Sequence, residues 1–190
     1  NSVLDRGLEV DVTDFKSLLV GNVELKTYAE TWVSSGWVIS LEFDFLAGQS
    51  DYKYYQITPV IQFNNNSLSG VPYGGENGVT ELDETKFGLK KSISLGSNIK
   101  SAHFRTIISG WGHATPADSD GRACAEWCFR THKIKIDNTD KFNHYMGPIG
   151  CSSNPITNQG GNWSPDRAGW CPGMIVPVRI DQFNSDISDS

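Results

Sequence analysis

Apolar and polar residues alternate with a period of two along much of this chain, first in Val23-Glu-Leu-Lys-Thr-Tyr-Ala-Glu-Thr-Trp-Val33. Successive side chains of an extended strand point to opposite faces, so this alternation predicts strands with one buried face. Gly36-Trp-Val-Ile-Ser-Leu-Glu-Phe-Asp-Phe45 repeats the pattern after a Ser34-Ser35-Gly36 turn, which predicts an antiparallel hairpin. Further strands are predicted over Tyr52–Phe63, Gly88–Leu95, Ala102–Ser109, Phe129–Ile136 and Met174–Ile180. Only Thr13–Val20 reads as a helical turn, with Asp11 or Thr13 as its N-cap. Loops rich in Gly, Asn, Asp and Pro fill the intervals, the longest at Asn64–Glu81 and Ser152–Gly173. The fold class is therefore all-β: an antiparallel β-sandwich or jelly roll.

Length and charge narrow the function classes. A chain of 190 residues can bury a real core as one large domain or two small ones, and Ala47-Gly-Gln-Ser-Asp51 marks a candidate boundary. A formal charge of −6 with a single small basic cluster, Lys90-Lys91, excludes nucleic acid as a partner, since polyanion binding needs clustered cations. No apolar run reaches the length of a membrane span.

The four cysteines, Cys124, Cys128, Cys151 and Cys171, are even in number. An i, i+4 pair at turn spacing suits a disulfide, and Cys124–Cys128 with Cys151–Cys171 is the favoured pairing. Tetrahedral zinc is the competing reading, although zinc ligands usually come in closer pairs. Disulfides would place the protein in an oxidising compartment, secreted or periplasmic.

Four segments concentrate indoles beside charged groups: Glu30-Thr-Trp32, Trp111-Gly-His113, Glu126-Trp127 and Asn162-Trp-Ser-Pro-Asp-Arg167-Ala-Gly-Trp170. Pyranose rings stack their C–H faces on indoles and offer hydroxyls to Arg and Glu, so this grouping favours a carbohydrate site. Two carboxylates, Glu30 and Glu126, suit general acid–base work if the fold makes them converge. The plainer alternatives stay open: Trp37 as a core residue, Trp127 and Trp163 as equally well core residues, and Glu30 as a solvent-facing strand position. No nucleophile elbow, P-loop or His-Glu-x-x-His motif occurs. His103, His113, His132 and His144 lack metal-ligand spacing, so no metal and no cofactor is expected; His132, alternating with lysines, reads as structural.

Several of these stretches together resemble the peptide-N-glycosidase F family. The resemblance runs from Arg6-Gly-Leu-Glu-Val-Asp-Val-Thr-Asp-Phe-Lys-Ser-Leu-Leu19 through Tyr28-Ala-Glu-Thr-Trp32 and Gly70-Val-Pro-Tyr-Gly74. It continues in Ile108-Ser-Gly-Trp-Gly-His-Ala114, Cys124-Ala-Glu-Trp-Cys-Phe-Arg-Thr-His132 and Asn162-Trp-Ser-Pro-Asp-Arg-Ala-Gly-Trp-Cys-Pro-Gly-Met174. The last two are too long and idiosyncratic to recur by chance.

The resemblance implies two adjacent jelly-roll domains. Residues 1–47 would end the N-terminal one, and residues 48–190 would form most of the C-terminal one. It also implies a bacterial glycoamidase that cleaves the amide between asparagine and the first N-acetylglucosamine of N-linked glycans, acting on glycoproteins and glycopeptides without a cofactor. Glu126 and Glu30 match catalytic positions of the family. Trp32, Trp111, His113, Arg167 and Trp170 match positions that hold the substrate, and Cys124–Cys128 with Cys151–Cys171 matches the disulfide pattern. The family's principal catalytic aspartate has no counterpart in residues 1–190, so activity is expected to need the remaining polypeptide of the N-terminal domain. A catalytically inactive N-glycan-binding module is the alternative.

Overall fold

The computed structural model describes residues 8–27, 34–36, 38–49, 55–60, 90–109, 113–114, 124–149 and 167–182, with backbone alone at 113–114 and 124–125. Six strands occur among them: β1 (His103–Ile107), β2 (His113–Ala114), β3 (Cys124–Ala125), β4 (Arg130–Ile136), β5 (Thr139–Met146) and β6 (Val178–Gln182). All pair antiparallel, β1 with β6, β2 with β3 and β4 with β5.

The β4–β5 hairpin is the longest ladder. Its two-residue turn, Asp137-Asn138, takes positive φ at both positions (49° and 63°), the left-handed pair whose twist matches that of the flanking strands. Asp and Asn tolerate this region better than other non-glycine residues. Lys133 and Asp140 form an ion pair across the hairpin at 2.5 Å. The register then slips by one residue between Ile134 and Lys135, a bulge that leaves Lys141 without an opposite partner.

Alternation on this hairpin decides what meets the second ladder. His144 and Met146 are buried, whereas Asn143 and Tyr145 are exposed. On the buried side Phe142 meets Phe104 of β1 edge to face, with centroids 6.2 Å apart. His144 reaches Asp181 of β6. The β4–β5 and β1–β6 ladders therefore face one another in the manner of a sandwich, with Met146 (1 % exposed) and Cys171 (0 %) at the centre of the described core.

By its internal contacts the chain divides into two compact units, Asp11–Pro59 and the remainder, Asn1–Val10 with Val60–Ser190. In the smaller unit a 3-10 helix spans Thr13–Leu18. Its N-cap is Val12, which makes no side-chain cap bond, so neither Asp11 nor Thr13 holds the cap position expected of it; Asp11 instead accepts the Thr13 N–H at 2.8 Å in a turn just before the helix. Lys16 lies over the Tyr55 ring at 4.0 Å, and Phe43 stacks on Phe45 at 6.5 Å.

Three predicted strands agree with β1, β4 and β6 to within a few residues. The first hairpin is different. Its turn is present at Ser34-Ser35, with Gly36 at φ 64°, but the described flanks, 23–27 and 38–45, join no ladder. The same holds for the described parts of the predicted strands at 52–63 and 88–95. Alternation reports which face a strand would bury, while a ladder also needs a partner for every backbone N–H and C=O. Among the described residues these segments take part in no ladder. Val38, Phe45 and Leu46 accordingly stand 98, 74 and 92 % exposed.

Candidate functional site

The site is assembled where β3 turns into β4 and where the segment after residue 166 returns beneath it. Backbone bonds hold this return in place. The Ala168 N–H donates to the Glu126 carbonyl at 2.7 Å and the Gly169 N–H to the Gly147 carbonyl at 2.8 Å. Pro148 and Ala168 form a bridge alongside. The 167–169 backbone is thereby stitched on one side to the Glu126 turn and on the other to the end of β5.

That stitching aims Arg167 at Glu126. The guanidinium Nε donates to Glu126 Oε2 at 2.9 Å. Arg167 is 2 % exposed and Glu126 15 %. Two indoles lie near the guanidinium: its central carbon is 5.4 Å from the Trp127 ring and 5.3 Å from the Trp170 ring. Two π faces and a carboxylate offset the loss of hydration that burying a cation entails. The Trp170 Nε1–H is itself buried without an acceptor among the described residues, and so carries a donor at the edge of this group.

Other expected site residues are placed in part. The β2–β3 ladder sets the His113 backbone opposite Ala125, one position from Glu126. Glu30, Trp32, Trp111 and Cys151, together with the Cys124 side chain, lie outside the described residues. Among the described residues no cysteine is a free thiol, and the sulfurs of Cys128 and Cys171 are oxidised. The Cys171 Sγ lies 3.0 Å from the Ile149 carbonyl. An oxidised sulfur has no proton to donate, so this is a close S···O packing contact. Among the described residues no group of three or more His, Cys, Asp or Glu side chains is arranged to hold a metal ion.

Two features escaped the sequence reading. Trp127, taken there as equally well a core residue, is one of the two faces against Arg167. The other is a buried polar cluster. His144 Nε2 lies 3.0 Å from Asp181 Oδ1 and 2.8 Å from Oδ2, and bond direction favours Oδ1, which leaves Oδ2 buried without a hydrogen bond. His132 stands opposite His144 in the ladder. Burial lowers the pKa of His132 below its ordinary value, and the nearby Arg179 and His144 lower it further.

Fold and site together place the chain among the antiparallel β-sandwich proteins, with a buried Glu–Arg pair set against indoles. Residues 80–189 match the family described as peptide-N-glycosidase F, C terminal. Over 188 residues, 98 % of this chain, the sequence is 56 % identical to the peptide-N(4)-(N-acetyl-beta-D-glucosaminyl)asparagine amidase F of Elizabethkingia miricola and covers 51 % of it. The solved structure of PNGase F, a glycosylasparaginase from Flavobacterium meningosepticum, superposes with a TM-score of 0.75 at 49 % identity. That match covers 98 % of this chain and 58 % of that one. A recombinant peptide:N-glycanase F gives 0.73 at 48 %, over 97 % and 57 % of the two chains. The chain belongs to the peptide-N-glycosidase F family, and it spans about half the length of the curated relative it matches.

Proposed function

We propose that the polypeptide carrying this chain is an N-glycan amidase. Water attacks the side-chain amide of a glycan-bearing asparagine, leaving aspartate in the peptide and a glycosylamine that decomposes to free glycan. The carrying observation is the pair Glu126–Arg167, with two indoles against the guanidinium. Hydrolysis of an unactivated amide needs a proton acceptor for water, a proton for the departing nitrogen, and a substrate held in a near-attack geometry. Glu126, less sealed than its partner, is the group at the reacting centre; its carboxylate is locked in direction by the Arg167 Nε. Arg167, almost wholly enclosed, acts as a positioning residue for Glu126.

The remaining roles follow the family resemblance. Glu30 assists as the second carboxylate. Trp32, Trp111, His113 and Trp170 hold the sugars and peptide. The pairs Cys124–Cys128 and Cys151–Cys171 hold the two site loops, residues 1–47 belong to the N-terminal domain and 48–190 to the C-terminal one, and the oxidised cysteines fit a secreted or periplasmic location. Among the described residues no helix is long and apolar enough to cross a membrane. The family aspartate that has no match in residues 1–190 would be supplied by polypeptide outside them.

The test uses the complete protein and a denatured N-glycoprotein. Release of glycan with conversion of Asn to Asp, a gain of about one mass unit, is expected. Glu126→Gln should lose that conversion by at least two orders of magnitude, general acid–base groups typically contributing 10²–10⁴-fold. Glu30→Gln should lose less. Wild-type turnover in Glu126→Gln would make Glu126 structural. Glycan binding without any conversion by the native protein would favour the inactive module.

A further inference from the structure

Beside the Glu126–Arg167 pair, and separate from it, a cleft of about 280 Å³ opens at the end of β5, lined by Tyr145, Gly147, Pro148, Ile149, Gly169 and Arg179. Its size is near the lower limit of ligand clefts, roughly 300 Å³, which suits a single ring-sized group. All six residues belong to the larger compact unit.

The floor of the cleft is bare backbone. Gly147 and Gly169 are joined by the 2.8 Å hydrogen bond that carries the Arg167 segment. A Cβ on Gly147 would sit 2.6 Å from Tyr145 Cε1, and one on Gly169 would strike Met146 and stand 3.5 Å from an Arg179 Nη2. Neither position has room for a side chain. The Tyr145 ring lies against Gly147 as one wall, and the residue is 63 % exposed, which leaves its outer face open to a ligand. Arg179 stands opposite, steadied by donating Nη1 to the Pro177 carbonyl at 3.2 Å, which leaves its Nη2 toward Gly169. Pro148 and Ile149 supply an apolar rim.

An aromatic face, a guanidinium fork and an unobstructed backbone floor are together the chemistry of a pyranose site. The C–H face of the ring stacks on tyrosine, and a vicinal hydroxyl pair takes the guanidinium donors. We propose that this cleft is a monosaccharide subsite, with Tyr145 as its stacking platform and Arg179 as its hydroxyl clamp. Ala168 alone separates Gly169 from Arg167, so the subsite adjoins the proposed reacting centre. Its ligand is a further pyranose of the glycan whose amide is cleaved there. This placement rests on the amidase reading; sugar binding in the cleft does not.

The test is direct binding to the complete protein, read by ligand-observed NMR with methyl α-mannoside and methyl N-acetyl-β-glucosaminide, each at millimolar concentration. At least one is expected to bind, with Tyr145→Ala weakening it tenfold or more and Tyr145→Phe restoring it. The exposed Tyr145 can be removed without unfolding the protein, and circular dichroism confirms that; Arg179→Gln serves as the second variant and should also weaken binding. Equal affinity in Tyr145→Ala, no binding of either sugar, or binding of an acidic tetrapeptide alone would each overturn the subsite. Loss of sugar binding in Tyr145→Ala with amidase activity absent from the native protein would sink the amidase reading and leave the subsite standing.

Discussion

Arg167 and Glu126, 41 residues apart in sequence, meet through a 2.9 Å contact from Nε to Oε2, and the cation is the more deeply enclosed of the two. The asymmetry has a consequence for mutation. Removing the arginine leaves a partly buried carboxylate without this partner, and removing one partner of a buried pair typically costs about 3–5 kcal/mol. Arg167→Ala should therefore lower unfolding stability by about that much, discounted toward the lower value because Glu126 keeps some contact with water. Arg167→Lys should recover only part, since an ammonium cannot reproduce the planar Nε–H direction or the stacking. Urea denaturation of both variants checks this. A loss below about 1 kcal/mol for Arg167→Ala, the range of exposed ion pairs, would show that the pair is surface-like.

The cross-strand histidines make a pH prediction. His132 has its pKa lowered from the ordinary 6.5, chiefly by burial and then by the positive charges nearby. Arg179, Asp181 and His144 are the charged or titratable groups around it, from β6 and β5; on β1 the residue turned toward β5 is the uncharged Phe104. A folded-state pKa below the unfolded one means that the unfolded chain takes up its proton first as pH falls. Stability should thus be complete above about pH 6.5 and decline below it until the folded His132 itself titrates. Melting temperatures between pH 7.5 and 5.5 should fall in the native protein and fall less in His132→Gln. An unchanged slope in the variant would assign the acid sensitivity elsewhere.

How much of this was legible in the sequence depends on whether the signal was local. Alternation located β1, β4 and β6 because each has a clear period of two. It missed β5: in Thr-Asp-Lys-Phe-Asn-His-Tyr-Met the opening charges hide the apolar face, and the bulge at Lys141 shifts the phase midway. The readable sign was Asp137-Asn138 between two extended runs, a two-residue turn with both positions left-handed. At the site, indoles beside charges pointed to Glu126, Arg167 and Trp170, but nothing local shows that Arg167 and Glu126 pair, or that His144 meets Asp181 from 37 residues away. Conversely, 23–27 and 38–45 alternate clearly and still form no ladder among the described residues, because pairing is a property of two strands.

Residue spacing and the family resemblance, not the oxidised state of Cys128 and Cys171, single out one cysteine pairing for test. Peptide mapping under non-reducing conditions should give Cys124–Cys128 and Cys151–Cys171, and any peptide joining the two pairs would contradict it. Loss of the second bridge, for example in a Cys151→Ser, Cys171→Ser double variant, frees a loop of about twenty residues and should cost about 3 kcal/mol on the chain-entropy estimate. Because Cys171 is fully buried and packed on the Ile149 carbonyl, the loss should be accompanied by weaker glycan binding through displacement of Trp170.

Gly169 offers the most discriminating test of how the site is seated. Its φ of 75° is the left-handed region, where an added Cβ costs roughly 1–2 kcal/mol. The same Cβ would collide with Met146 Cε, and Met146 is 1 % exposed with little room to retreat. Gly169→Ala should therefore destabilise by both effects, and Met146→Ala alone by about 2–5 kcal/mol for the cavity it leaves. In the double variant the new methyl enters that cavity, so the steric part of the first cost disappears while the backbone part remains. The two changes should fall short of additivity by about 0.5–3 kcal/mol, the range for residues in contact. Additive losses would mean that Met146 does not support the 167–169 segment, and that its backbone bonds and the Arg167–Glu126 pair hold it instead.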